Sequence, residues 1–177
     1  MSQNNIIKIL KSGGIGVMAT DTIYGILGSA LLSNTVERIY KLRQRDLKKP
    51  MIVLIGLLND LKIFDIKLTP RLKNFLSNIW FNTKVPTSVI ISCPSKKFSY
   101  LHRGTKTIAF RIPAKKDLLN LLRKTGPLVA PSANISGKKP AKNIKEAKKY
   151  FGNKIDFYVD GGTIKNSPSI LIEIKRI

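Results

Sequence analysis

Ser132, Asn134 and Ser136 follow directly on a short apolar run, within Val129-Ala130-Pro131-Ser132-Ala133-Asn134-Ile135-Ser136-Gly137. A buried strand that breaks into hydroxyls and a carboxamide delivers hydrogen-bonding groups to whatever sits at its end. Pro, Ser, Asn and Gly also build plain turns, so this stretch needs company before it means anything. Gly16-Val17-Met18-Ala19 runs into Thr20-Asp21-Thr22-Ile23-Tyr24-Gly25 in the same manner, with hydroxyls on Thr20 and Thr22 and glycines at 25 and 28 that allow close backbone approach. Arg43-Gln44-Arg45 ends an amphipathic stretch. Guanidinium groups make planar, multiply bonded contacts with phosphate or carboxylate, although basic residues there also complement a helix dipole. Arg111 ends the strand-like Thr107-Ile108-Ala109-Phe110-Arg111, where a charge needs a partner. With 10 Asp and Glu in the whole chain, an anionic ligand is favoured over an internal carboxylate. Asp160-Gly161-Gly162 and Ser167-Pro168-Ser169 add a glycine turn and a hydroxyl after another strand. Taken together, these groups could hold an anionic, oxygen-rich ligand by hydroxyl and guanidinium donors.

The elements that must position them are read from hydropathy. Apolar runs at 15–19, 51–55, 88–93, 107–110, 127–130, 155–159 and 169–174 read as strands, several of them continuous and therefore covered on both faces. Between them lie helical patterns. Asn34 to Arg43 places Val36, Ile39 and Tyr40 on one face, with Asn34 and Glu37 as a capping pair. Thr69-Pro70 opens a second helix carrying Leu72, Phe75, Leu76, Ile79 and Trp80, which makes Trp80 a core residue. A third runs from Asp117 through Leu122, and a fourth covers Ile144 to Phe151 and stops at Gly152. The expected fold class is α/β, one twisted mixed sheet with flanking helices, as a single domain over residues 1–177.

Composition excludes several chemistries. One Cys forbids an internal disulfide, and one His leaves too few ligands for zinc and no Ser/His/Asp triad that can be read; Cys93 is expected in the core and His102 in a loop. Gly137-Lys138 is followed by Lys139, so no Walker loop is present, and no Gly-x-Gly-x-x-Gly fingerprint occurs. No run has the length of a membrane-spanning helix and the N-terminus does not resemble a cleaved signal, which leads to an expected cytoplasmic location. The net charge of +22, from 32 Lys and Arg, welcomes phosphorylated ligands and nucleic acid alike.

In order along the chain, Thr20-Asp21-Thr22-Ile23-Tyr24-Gly25, Arg43-Gln44-Arg45, Arg111-Ile112-Pro113, Ser132-Ala133-Asn134-Ile135-Ser136-Gly137 and Pro168-Ser169 resemble the TsaC/YrdC family of threonylcarbamoyl-AMP synthases over nearly the whole length. The resemblance implies a basic concave cavity in which L-threonine, bicarbonate and ATP become threonylcarbamoyl-adenylate and pyrophosphate, for modification of tRNA. It implies Thr20 and Thr22 at the threonine and carbamate end and Arg43 and Arg45 as catalytic groups on phosphate or carboxylate. It further implies Arg45, Arg111, Ser132, Asn134, Ser136 and Ser169 at ATP. Mg²⁺ would arrive with ATP, with no dedicated protein metal site, and the partners implied are a tRNA contact and a downstream tRNA threonylcarbamoyl-transferase complex. Ala19 stands where the family usually has Pro, Arg43 where it has Lys, Trp80 to Pro86 replaces an aromatic-Pro-Gly-Pro segment, and Ser169-Ile170 replaces Ser-Thr. The competing expectation is a non-catalytic module that binds double-stranded RNA or tRNA in the basic cavity, and a third is a nucleotide sensor without turnover.

Overall fold

Apolar runs too short for helices leave this chain few ways to cover them other than by pairing edge to edge. The computed structural model describes residues 1–174. In chain order it contains α1 (Gln3–Lys11), β1 (Ile15–Ala19), β2 (Tyr24–Ser29), α2 (Ser33–Arg43), β3 (Ile52–Leu54), α3 (Pro70–Phe81), β4 (Thr87–Ser92), α4 (Ser99–His102), β5 (Thr107–Arg111), α5 (Lys116–Thr125), β6 (Leu128–Val129), α6 (Ile144–Phe151), β7 (Phe157–Val159) and β8 (Ile170–Glu173), with short 3-10 turns between. The strands form one sheet of eight in the order β7-β1-β2-β6-β3-β5-β4-β8. β1 with β7, β3 with β5 and β4 with β8 are parallel and the other pairs antiparallel, which is the mixed α/β sheet expected.

Every residue of β1 and β2 is buried, as continuous apolar strands require. Successive residues serve opposite faces: Val17, Ile26, Val53 and Val129 join one core with α2, α3 and Phe110, while Met18, Leu27, Leu54 and Leu128 join a second beneath α1 and α5. Gly16 lets Phe157 of the neighbouring strand lie flat on β1, since a Cβ there would fall 2.0 Å from the ring. Gly16→Ala is therefore expected to cost about 1–3 kcal/mol through forced displacement of the ring. Thermal unfolding of the variant checks this: an unchanged midpoint would mean that the ring moves freely.

Several local expectations hold. Thr69 caps α3 by accepting from the Leu72 N–H, Pro70 is its first residue, and Trp80 is buried with its indole N–H on the Thr87 carbonyl. Cys93 is buried and its thiol donates to the Phe64 carbonyl. Two expectations are corrected. The Asn34–Glu37 capping pair does not form: α2 starts at Ser33 behind Leu32, so Asn34 already lies inside the helix, and Glu37 reaches out to Arg103 at 2.6 Å. His102 is not in a loop; it closes α4, is buried, and accepts the Gly104 N–H at Nδ1. The structure also adds α1, capped by Ser2 with Ile6 and Leu10 inward, and β2, whose two glycines hide it from hydropathy.

The connection from β7 to β8 joins the two opposite edges of the sheet. Seven strand spacings of roughly 4.8 Å amount to about 34 Å for a flat sheet. The eleven Cα steps from Val159 to Ile170 reach at most about 40 Å. The segment 160–169 therefore crosses the strand ends as an extended strap. It is held by the Tyr24 hydroxyl, which takes the Gly161 N–H and donates to the Gly162 carbonyl, by Ile164 N–H on the Lys142 carbonyl, and by the Ser88 and Ser169 hydroxyls 2.9 Å apart. Gly161 passes so close to Ala19 that a Cβ would lie 2.5 Å from the Ala19 methyl.

Candidate active site

Beneath the strap the strand ends enclose a cleft of about 150 Å³, lined by Thr20, Thr22, Ile23, Gly25, Ile52, Arg111, Ala130, Pro131, Ser132, Pro140, Pro168 and Ser169. Five of the residues singled out in the sequence, Thr20, Thr22, Arg111, Ser132 and Ser169, thus meet in one place, drawn from segments spread over the whole chain. β2 and the end of β6 make the floor: Ile26 N–H bonds to the Pro131 carbonyl and Ala133 N–H to Tyr24, so the Ser132–Asn134 segment runs on along β2 beyond the sheet proper. At the opposite wall the Thr20 hydroxyl donates to the Ile23 carbonyl, accepts the Thr22 N–H and lies 3.0 Å from the Thr22 hydroxyl. These bonds fold the Thr20–Ile23 turn and aim Thr22 inward.

Arg43 lies behind the cleft. It is 3% exposed, and its Nε donates to the Asn134 carbonyl at 3.1 Å while Nη2 donates to Ser132 Oγ at 3.1 Å and Asn134 Oδ1 at 3.2 Å. The Ser136 N–H returns a bond to the Arg43 carbonyl, and the Asn134 amide donates to the Ile135 and Lys138 carbonyls. Both ends of the Asn134 carboxamide are consumed, the oxygen by Arg43 and the amide inside its own loop, and Ser136 is not among the residues lining the cleft. Arg43 forms no ion pair with a carboxylate among the described residues, and Nη1 has no hydrogen-bond partner there. Burial, with the nearby Arg45 charge, pushes its guanidinium down to about 10, still charged at neutral pH. Arg45, by contrast, folds back on its own loop, donating to the Lys49 and Pro50 carbonyls. The structure does not bring Arg45 to the lining of the cleft.

Arg111 corrects the choice made from the acid count. It does have an internal carboxylate: Asp21 Oδ1 lies 2.9 Å from Nη1, the side chains being 9% and 5% exposed. Nη1 is thus engaged by the carboxylate, while Nε has no hydrogen-bond partner among the described residues. Burial lowers the affinity of this guanidinium for its proton and the Asp21 charge opposes the shift. Sequence reasoning gives Asp21 no role of its own and does not single out Lys115, whose Nζ donates to the Ala19 carbonyl at the end of β1. It also missed Ser88, the partner of Ser169. None of these three carries a signal in periodicity or composition.

The chain that builds this cleft is matched in sequence and fold by known proteins. The Sua5/YciO/YrdC family model, described as "Telomere recombination", matches residues 8–176. The chain belongs to this family. Threonylcarbamoyl-AMP synthase from Coxiella burnetii is 27% identical over 164 residues, covering 90% of this chain and 85% of that protein. The Bacillus subtilis threonylcarbamoyl-AMP synthase is 28% identical over 158 residues, covering 87% of this chain but 44% of the relative. The crystal structure of Pyrococcus abyssi Sua5 complexed with L-threonine superposes with a TM-score of 0.87 at 26% identity, over 98% of this chain and 51% of that one. The chain therefore spans about half the length of the longer family members it matches. Among the described residues no helix is long and apolar enough to cross a membrane.

Proposed function

We propose that this family member is a threonylcarbamoyl-AMP synthase, a nucleotidyltransferase that joins L-threonine, bicarbonate and ATP. The observation that carries the reading is the convergence of Thr20, Thr22, Arg111, Ser132 and Ser169 on one cleft in a chain whose relatives bear that activity. Threonine as substrate has the further support of the threonine complex of the Pyrococcus relative. A non-catalytic RNA-binding role is not favoured beside relatives that are named as enzymes.

The amine of threonine and bicarbonate give a carbamate and water. A carbamate oxygen then bonds to the α-phosphorus of ATP as the bond from that phosphorus to the bridging oxygen breaks, and pyrophosphate leaves. The attacking group is already anionic, so no histidine base is needed and the protein's task is to place two anions together and stabilise the charge that spreads over phosphate. Thr20 and Thr22 take the threonine and carbamate end. Arg111, whose Nε–H is unpaired among the described residues, and the hydroxyls of Ser132 and Ser169 take phosphate and nucleotide, while Arg43 and Asn134 shape the loop that presents Ser132. The cleft is smaller than the roughly 300–1,000 Å³ of pockets that enclose a whole ligand, so it receives the reacting groups rather than both substrates entire.

No group of three or more His, Cys, Asp or Glu that could hold a metal occurs among the described residues. The polar side chains that line the cleft, hydroxyls and the Arg111 guanidinium, do not make a cage for Mg²⁺. The ion would accompany ATP on its phosphate oxygens, and no step above is routed through it. The adenylate, a labile mixed anhydride, would pass to a tRNA-modifying transferase. Incubation of the protein with Mg-ATP, bicarbonate and L-threonine is expected to release pyrophosphate only when threonine is present; folded protein that releases none would refute the assignment.

A further inference from the structure

We propose that Asp21 is the positioning residue for Arg111, fixing its guanidinium across the sheet so that it is presented to the anionic end of the nucleotide. The inference rests on the reading of the cleft as a nucleotide site. Asp21 sits in the turn between β1 and β2, and Arg111 ends β5, with β6 and β3 lying between β2 and β5 in the sheet. In a flat sheet those three spacings would separate the strands by roughly 14 Å. The long arginine side chain covers much of that gap, and the bond from the Ala114 N–H to Asp21 shows that the segments following β1 and β5 converge beyond the strand ends, where the ion pair joins them.

The carboxylate is held on both oxygens. Oδ1 faces Arg111 Nη1, and Oδ2 accepts the backbone N–H of Ala114 at 3.1 Å, three residues beyond the arginine it restrains. Thr22, the next residue along the same turn, takes a long 3.5 Å bond from Arg111 Nη2. Asp21 and Thr22 together restrain the guanidinium from one side through Nη1 and Nη2, while Arg111 lines the cleft with Nε unpaired among the described residues. A buried arginine needs some restraint of this kind, because its long side chain has several rotamers and only one of them offers the planar fork to a phosphate.

The sign of the effect separates positioning from simple electrostatics. On charge alone, replacing Asp21 by Asn beside an anion site would tighten ATP binding. If Asp21 holds Arg111 in place, Asp21→Asn weakens it, and only while Arg111 is present. The experiment is a double-mutant cycle read by calorimetric titration with Mg-ATP, far below the melting temperature of every variant. Asp21→Asn is expected to raise the Kd for ATP about tenfold in the native background and less than twofold in an Arg111→Met background. Asp21→Glu, which keeps the carboxylate, is expected to recover part of the loss. Unchanged or tighter binding in Asp21→Asn would overturn the inference, as would an equal loss in both backgrounds. Should Arg111→Met fail to fold, Arg111→Lys serves as the second background under the same criterion. Threonine-dependent pyrophosphate release by the native protein tests the synthase reading separately: ATP binding without that product would sink the reading and leave the cycle interpretable, whereas a native protein that does not bind ATP overturns both.

Discussion

Arg43→Met is expected to lower stability by about 3 kcal/mol and to weaken ATP binding by a hundredfold or more. The side chain supplies one charged donor to the Asn134 carbonyl and another shared between Ser132 Oγ and Asn134 Oδ1, all at 3.1–3.2 Å in the interior. Each buried acceptor left unsatisfied costs about 1–3 kcal/mol, and hydration of the half-buried Ser132 recovers part of that sum. Losing a buried cation that has no carboxylate partner among the described residues offsets a further part, which is why the estimate stays at the low end. The functional loss is comparable to the loss of stability, about 1.4 kcal/mol per tenfold, because the freed loop is the one that presents Ser132. Arg43→Lys restores the residue usual in the family but brings a single ammonium in place of a fork, and an intermediate effect of roughly tenfold follows. Denaturant titration, ATP titration and amide exchange at residues 132–138 check these outcomes together. Retention of native ATP affinity with increased exchange in the loop would show that the loop does not hold nucleotide.

The second large effect concerns Arg111→Met. Removing one partner of a buried ion pair leaves the other charge uncompensated, and losses of about 3–5 kcal/mol are typical. Here the orphan is Asp21, whose side chain is 9% exposed. Adding Asp21→Asn to Arg111→Met is expected to return most of the stability, since the stranded charge is gone, and to return none of the ATP affinity. Urea unfolding and nucleotide titration of the same samples separate the two. Recovery of binding along with stability would place Arg111 among the structural ion pairs and away from substrate.

Legibility from the sequence followed physical range. Features set by neighbouring residues were readable: the Thr69-Pro70 start of α3, the amphipathic faces of α2 and α6, and the apolar runs that became strands. β2 was not, because Gly25 and Gly28 dilute its hydropathy, and their reason for being glycine lies outside the strand: at Gly28 a Cβ would stand 2.6 Å from Thr35 of α2. The grouping of Thr20, Thr22, Arg111, Ser132 and Ser169 could be anticipated from the order of the motifs. The division of labour among the polar residues could not. A sequence displays that Asn134 has donors and acceptors; it does not display that Arg43, Ile135 and Lys138 consume them. Asp21 escaped for the same reason at longer range, since its bond to Ala114 joins residues 93 apart whose proximity depends on β6 being inserted between β2 and β3.

The strap that runs from β7 to β8 has a bearing on how chain length can vary in this protein. Both edges of the sheet are tied by one stretch whose full reach of about 40 Å only slightly exceeds the roughly 34 Å of a flat sheet, so shortening it would limit how far the sheet can flatten. Residues removed between Ile164 and Ser169 would have to be compensated by tighter curl and a narrower cleft, while residues added there would let the walls part. Length variation in this stretch should therefore be asymmetric, with insertions tolerated more readily than deletions, and the number of residues in a segment with few side-chain contacts would act as a gauge on the width of the site.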